Sequence, residues 1–148
     1  MTALLAGCAA TPGRVSQTKP VPELEAPQHL ALEGYDAVAY FEYGEAQRGE
    51  AAYQYLWRGV NWYFVNAAHR DAFAANPSGY APQYGNYCAF AVSRGTTAHG
   101  DPTLWAIAEG KLYLNNNRFA QKLWDEDRSG NIAAGDQNWP LLPKKAAP

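Results

Sequence analysis

The side chains best suited to chemistry in this chain are one cysteine and one histidine. Cys88 lies in the aromatic stretch Tyr84-Gly85-Asn86-Tyr87-Cys88-Ala89-Phe90, and His69 lies within the segment Ala67–Ala75. Thiolate and imidazole are soft and borderline donors, a combination suited to copper or zinc. Asp36, in Gly34-Tyr35-Asp36, adds a carboxylate to the possible ligand set. A closed zinc site takes four ligands, with Zn–S near ~2.3 Å and Zn–N near ~2.0 Å. Two soft donors fall short of that, so the pattern fits a sparse, exposed copper site or one shared with a partner. If one ion joins them, the Cys88 sulfur and the His69 ring nitrogens should lie within roughly 3–4 Å of each other.

Each residue also has a plainer role open to it. Cys88 can serve as a small buried hydrophobe or as a redox thiol forming mixed disulfides. His69 can be a hydrogen-bonded packing residue, and Asp36 can fix a turn through its carboxylate. His99, before Gly100-Asp101-Pro102, reads as a loop residue. The aromatic residues allow a second kind of site, since a Tyr ring supplies apolar contact while its hydroxyl orients a ligand. Tyr35, Tyr40, Trp62, Tyr84 and Tyr87 are the residues expected to line such a pocket, the alternative being one large aromatic core. Enzymatic readings find little support. No Gly-x-Ser-x-Gly or Gly-rich phosphate loop occurs, and Cys88 with His69 lacks an orienting third group.

The elements that must position these residues follow from the pattern. Gly34 to Phe41 is an apolar run of strand length. Tyr53, Tyr55 and Trp57 alternate, Arg58-Gly59 supplies a turn, and Val60 to Val65 returns, which predicts a hairpin. Asn66 is placed to cap a helix over 67–75, ended by Asn76-Pro77. Within it His69 and Phe73 share a face directed at the core. The stretch 80–92 reads as loop followed by helix. Leu104–Ala108 and Lys111–Leu114, joined by Glu109-Gly110, predict a second hairpin. A helix over 115–127 carries Phe119, Leu123 and Trp124 on one stripe, and a last short helix runs near 131–137. The two hairpin–helix units are similar in kind, but no residue-by-residue repeat is evident. The expected class is α+β: two small antiparallel β-hairpins packed with short helices in a single compact domain.

At 148 residues and a net charge of −2, with 47 % hydrophobic and 18 % charged residues, the chain suits one globular domain. No Lys/Arg cluster offers the positive face that nucleic acid demands. Leu5-Ala6-Gly7-Cys8 resembles the bacterial lipobox, in which the cysteine is acylated and becomes a membrane anchor. Only Leu4-Leu5-Ala6 remains of an apolar stretch before it, so the expected start lies upstream of Met1. Residues 1–8 then form the remnant of a signal peptide with acceptor Cys8. Residues 9–28 form a flexible spacer, 29–141 the domain, and 142–148 a frayed tail. The implied location is the periplasmic side of the bacterial envelope, with the membrane and an envelope protein as partners. With Cys8 lipidated, Cys88 has no intrachain disulfide partner.

Tyr53-Gln54-Tyr55-Leu56-Trp57-Arg58-Gly59, Trp62-Tyr63-Phe64, Arg70-Asp71-Ala72-Phe73, Asn76-Pro77 and Tyr80 resemble the YHS domain. The flanking segments 34–41 and 81–88 resemble a bacterial subfamily of YHS domain-containing proteins, and the likeness covers about 30–140. The resemblance implies the same hairpin–helix fold and an association with heavy metals, copper among them. Better-known members carry cysteines beside the first strand and a Cys-x-x-x-Cys step before the helix. Here that step falls on Val65 and His69, so the resemblance implies a ligand role for His69 and none for Val65.

Overall fold

Two pairs of residues in the left-handed region set the architecture. Arg58-Gly59 has φ of 52° and 74°, and Glu109-Gly110 has 52° and 72°; both are primed turns, whose twist matches that of paired strands. In the computed structural model, which describes residues 30–143, these turns join β1 (Glu50–Trp57) to β2 (Val60–Phe64) and β3 (Asp101–Ala108) to β4 (Lys111–Asn115). Each pair is an antiparallel two-stranded sheet. A helix follows each hairpin: α2 (Ala67–Ala75) and α5 (Arg118–Glu126). The first is capped by Asn66, whose side-chain oxygen accepts the His69 N–H at 2.8 Å. The second is capped by Asn117, which accepts the Ala120 N–H at 2.9 Å. The chain is an α+β single domain, as its sequence pattern implies.

The two hairpin–helix units, alike in kind in the sequence, match element by element in the structure. Glu50 corresponds to Asp101, Trp57 to Ala108, Asn66 to Asn117 and Phe73 to Trp124. The strand registers share one irregularity, between Glu50 and Gln54 and between Asp101 and Trp105. The ring pair Trp62–Phe73, at 4.7 Å, has its counterpart in Tyr113–Trp124, at 5.1 Å. Gly49 and Gly100 also correspond. A Cβ at Gly49 would be driven into the Tyr63 backbone, and one at Gly100 would lie 2.9 Å from the Leu114 side chain. The repeat escapes sequence reading because packing conserves ring contacts and backbone approach, not residue identity.

The segments leading into the hairpins obey the same plan. Tyr35 bridges Arg48 and Tyr87 bridges His99, while Asp36 N–H bonds Gln47 O and Cys88 N–H bonds Ala98 O, each at 2.8 Å. Short helices follow: α1 (Ala39–Glu42) in the first half and α4 (Ala89–Ser93) in the second. The strand expected over 34–41 does not form. The Asp36 carboxylate accepts the Val38 and Ala39 N–H groups at 2.8 and 3.1 Å, which turns the chain into α1 instead. The remaining α-helices among the described residues are α3 (Pro77–Tyr80), which Pro77 opens, and α6 (Arg128–Asn138).

The second hairpin lies between two apolar cores. Leu112 and Leu114 of β4, with Trp105 and Ile107 of β3, face the core built on Phe64, Phe73, Tyr40 and Leu32. Tyr113, Ala106 and Ala108 face the other side, against Trp124, Val92 and Tyr84. The alternation of a strand thus serves both cores at once. On α5 the buried stripe is Ala120 and Trp124 with Leu123 beside it. Phe119 is 71 % exposed, because it lies one step around the helix from Ala120, and its expected place on that stripe is corrected accordingly.

Substituting Asn66 or Asn117 by Ala should each lower stability by about 1 kcal/mol, the usual worth of an N-cap, as read from urea unfolding midpoints. Burial raises the Tyr40 phenol above its ordinary range. Burial and the hydrogen bond to Asp136 do the same for Tyr84, and burial pushes Tyr113 up to about 12. Unfolded phenols titrate near about 10, so above that pH the unfolded chain binds fewer protons and stability falls as pH rises. Urea unfolding at pH steps from about 9 to about 12 should show this loss. Phenolate absorbance of these three rings should appear with unfolding and not before it.

Candidate functional site

Asp36 is fully buried, and a buried carboxylate must be paid in hydrogen bonds. It has four. Oδ1 accepts from the Val38 and Ala39 N–H groups, and Oδ2 from the Val65 N–H at 2.9 Å and from His69 Nδ1 at 2.7 Å. One side chain therefore fastens the start of α1 to the end of β2 and the first turn of α2. Since a carboxylate offers about four acceptor sites, Asp36 has none left for a ligand. Its part is to orient the imidazole.

His69 is brought to Asp36 by the Asn66 cap, which fixes the first turn of α2. Its side chain is 9 % exposed, and its ring packs on Tyr43, with centroids 4.8 Å apart. Tyr43 is 48 % exposed, and its hydroxyl accepts from Asn66 Nδ2 at 3.5 Å. With Nδ1 held against the carboxylate, Nε2 is the ring nitrogen left to meet a ligand. Nε2 makes no hydrogen bond among the described residues and is not sealed from solvent. The arrangement is chemically a single oriented nitrogen donor beside a half-exposed aromatic ring.

Cys88 keeps different company. Its thiol donates to Asn115 Oδ1 at 3.5 Å, an oxygen that also accepts the Phe90 N–H at 3.1 Å. It is 1 % exposed and packs with Ala91 and Ala120. Among the described residues no group of three or more His, Cys, Asp or Glu side chains is arranged to hold a metal. The structure thus brings Asp36 and His69 together and does not join Cys88 to them in one cluster. Asn115 and Tyr43 are the site residues that sequence reasoning passed over. Asn115 reads as the first residue of the helix over 115–127, yet it ends β4 and is fully buried. Tyr43 follows a run read as a strand, which hides its place at the end of α1.

The five aromatic residues expected around one pocket are divided between the two cores. Tyr40 and Trp62 belong to the first, with Tyr35 packed on it; Tyr84 and Tyr87 belong with the second. Tyr40 donates its hydroxyl to Pro102 O at 2.8 Å, and Tyr84 donates to the Asp136 carboxylate at 2.8 Å. Trp62 lies against Phe73 and Trp57. The Arg48 guanidinium sits over Tyr35, and the Tyr87 ring meets Trp139 at 5.7 Å. His99 pairs with Glu33 at 2.9 Å on the surface, where such pairs contribute little. An open groove beside α5, lined by Leu104, Arg118, Gln121, Lys122, Asp125 and Glu126, contains none of the residues singled out from the sequence.

Cys8, with the lipid anchor expected there, and the spacer over 9–28 lie outside the described residues, as does most of the tail. No family model, no curated protein and no solved structure matches the chain.

Proposed function

We propose that this chain is a binding module of the YHS type, tethered by lipid on Cys8 to the periplasmic side of the bacterial envelope, that takes a transition-metal ion, copper first, at His69. The observation that carries the reading is the 2.7 Å bond from His69 Nδ1 to the buried Asp36 carboxylate. Metal-ligating histidines characteristically donate their other ring N–H to a carboxylate, which fixes the tautomer and raises the basicity of the ligating nitrogen. With Asp36 occupied and Cys88 bonded to Asn115, His69 supplies one ligand. Water or an envelope partner supplies the others, so the ion is exchangeable rather than stored, and zinc binds less well than copper. In this reading Cys88 is a packing residue.

A second reading draws on Tyr43, whose half-exposed ring lies against His69. An aromatic small molecule or protein segment stacking there and donating a hydrogen bond to Nε2 would use the same two residues without a metal.

Titration of the purified domain with Cu(I) and Zn(II) tests the metal reading. One copper per chain is expected, lost in His69→Ala and retained in Cys88→Ser; no uptake by the unaltered chain refutes it. Asp36→Asn should weaken copper binding by about 10–100-fold. The same change should lower stability by about 1–3 kcal/mol, since a carboxamide cannot accept all four bonds. Nitrogen-15 spectra should show His69 as the Nδ1–H tautomer in the unaltered chain and as a mixture in Asp36→Asn. When the chain is expressed with a functional export leader, Cys8→Ser should move it from the membrane to the soluble fraction.

A further inference from the structure

The matched elements and hydrogen bonds of the two halves show what stands where the Asp36–His69 couple would recur. Asp36 and Cys88 each begin the turn into a short helix, and each bonds its N–H to a carbonyl of the returning loop, Gln47 O and Ala98 O. His69 and Ala120 each give their N–H to the capping asparagine of the following helix. Cys88 therefore corresponds to Asp36, and Ala120 to His69. The C-cap residue of α1, Tyr43, has Arg94 as its counterpart at the end of α4.

One backbone demand is shared by the two halves, and it is met from opposite sides. In the first half the Val38 N–H is satisfied by Asp36, on the lead-in loop. In the second the matching Phe90 N–H is satisfied by Asn115, at the end of β4. Asn115 corresponds to Phe64, so the polar and apolar members of the pair have changed places. With Asn115 serving the loop, position 88 needs no carboxylate and position 120 needs no imidazole. A thiol and a methyl group pack there with Ala91 instead.

We infer that the Cys88–Ala120 niche is a vacated second copy of the Asp36–His69 site, carried on a backbone that can still house the couple. The fold is built twice and the oriented imidazole once. The loop, the cap and the hairpin form in the second half without any such couple, so the repeated frame does not itself require an imidazole at this place. This inference concerns the scaffold and does not depend on the ligand being a metal.

The test is the full chain carrying Cys88→Asp with Ala120→His, observed by nitrogen-15 NMR of the imidazoles. A second ring locked as the Nδ1–H tautomer, alongside that of His69, is the expected result. A folded variant whose new ring exchanges freely between tautomers overturns the inference. If the variant does not fold, the reverse exchange decides: Asp36→Cys with Phe64→Asn and His69→Ala imposes the second half's arrangement on the first. Retention of a cooperative unfolding transition there upholds the equivalence of the two niches, and its loss overturns it. A copper titration of the folded forward variant separates the two claims. Two locked rings with a doubled copper stoichiometry support both, whereas two locked rings with no copper uptake sustain the vacated niche and refute the metal reading.

Discussion

A carboxylate with no contact to water must find its donors inside the protein, and in this chain that requirement organises the first half. Asp36 collects three backbone N–H groups and one imidazole. Taking any one away leaves part of a buried charge uncompensated, which costs far more than a surface contact gains. The geometry of the lead-in loop, the junction between β2 and α2 and the placement of the His69 ring are therefore consequences of a single burial event. The orientation of the His69 ring is thereby settled by the fold itself.

That arrangement was partly legible in the residues. The hairpins announce themselves through alternating Tyr53, Tyr55 and Trp57 and through Arg58-Gly59 and Glu109-Gly110, because strand period and primed-turn chemistry are local properties. Asn66 as a cap and His69 with Phe73 on an inward face are local too, and the structure has both. The segment 34–41 was misread for a specific reason. Its apolar composition suits a strand, but the hydrogen bonds from Asp36 to residues two and three further on compete with pairing and win. Partnership across the fold was not legible: Asp36 is 33 positions from His69, and Cys88 is 27 from Asn115. No period in the sequence encodes either approach.

The repeat shows why identity is a poor guide here. Phe73 and Trp124 share no chemistry beyond an aromatic ring, yet each packs against the ring of the returning strand at comparable distance. Gly49 and Gly100 are the same residue for the same reason, the lack of room for a side chain. Where a contact is generic the residue drifts, and where the backbone itself is the neighbour it does not. The polar tie drifted in a third way, by passing from the loop to the strand end. Such a transfer keeps one backbone N–H of the turn satisfied while removing every trace of it from a pairwise comparison of residues.

The second hairpin, with Leu112 and Leu114 turned one way and Tyr113 the other, is a party wall between the two halves. Neither half can melt without stripping one face of that wall, so damage or reinforcement on one side is felt on the other. Stabilising either core would raise the resistance of the elements on the other to proteases and to hydrogen exchange, through a shared unfolding equilibrium. Two copies of a small unit have in this way become one thermodynamic body.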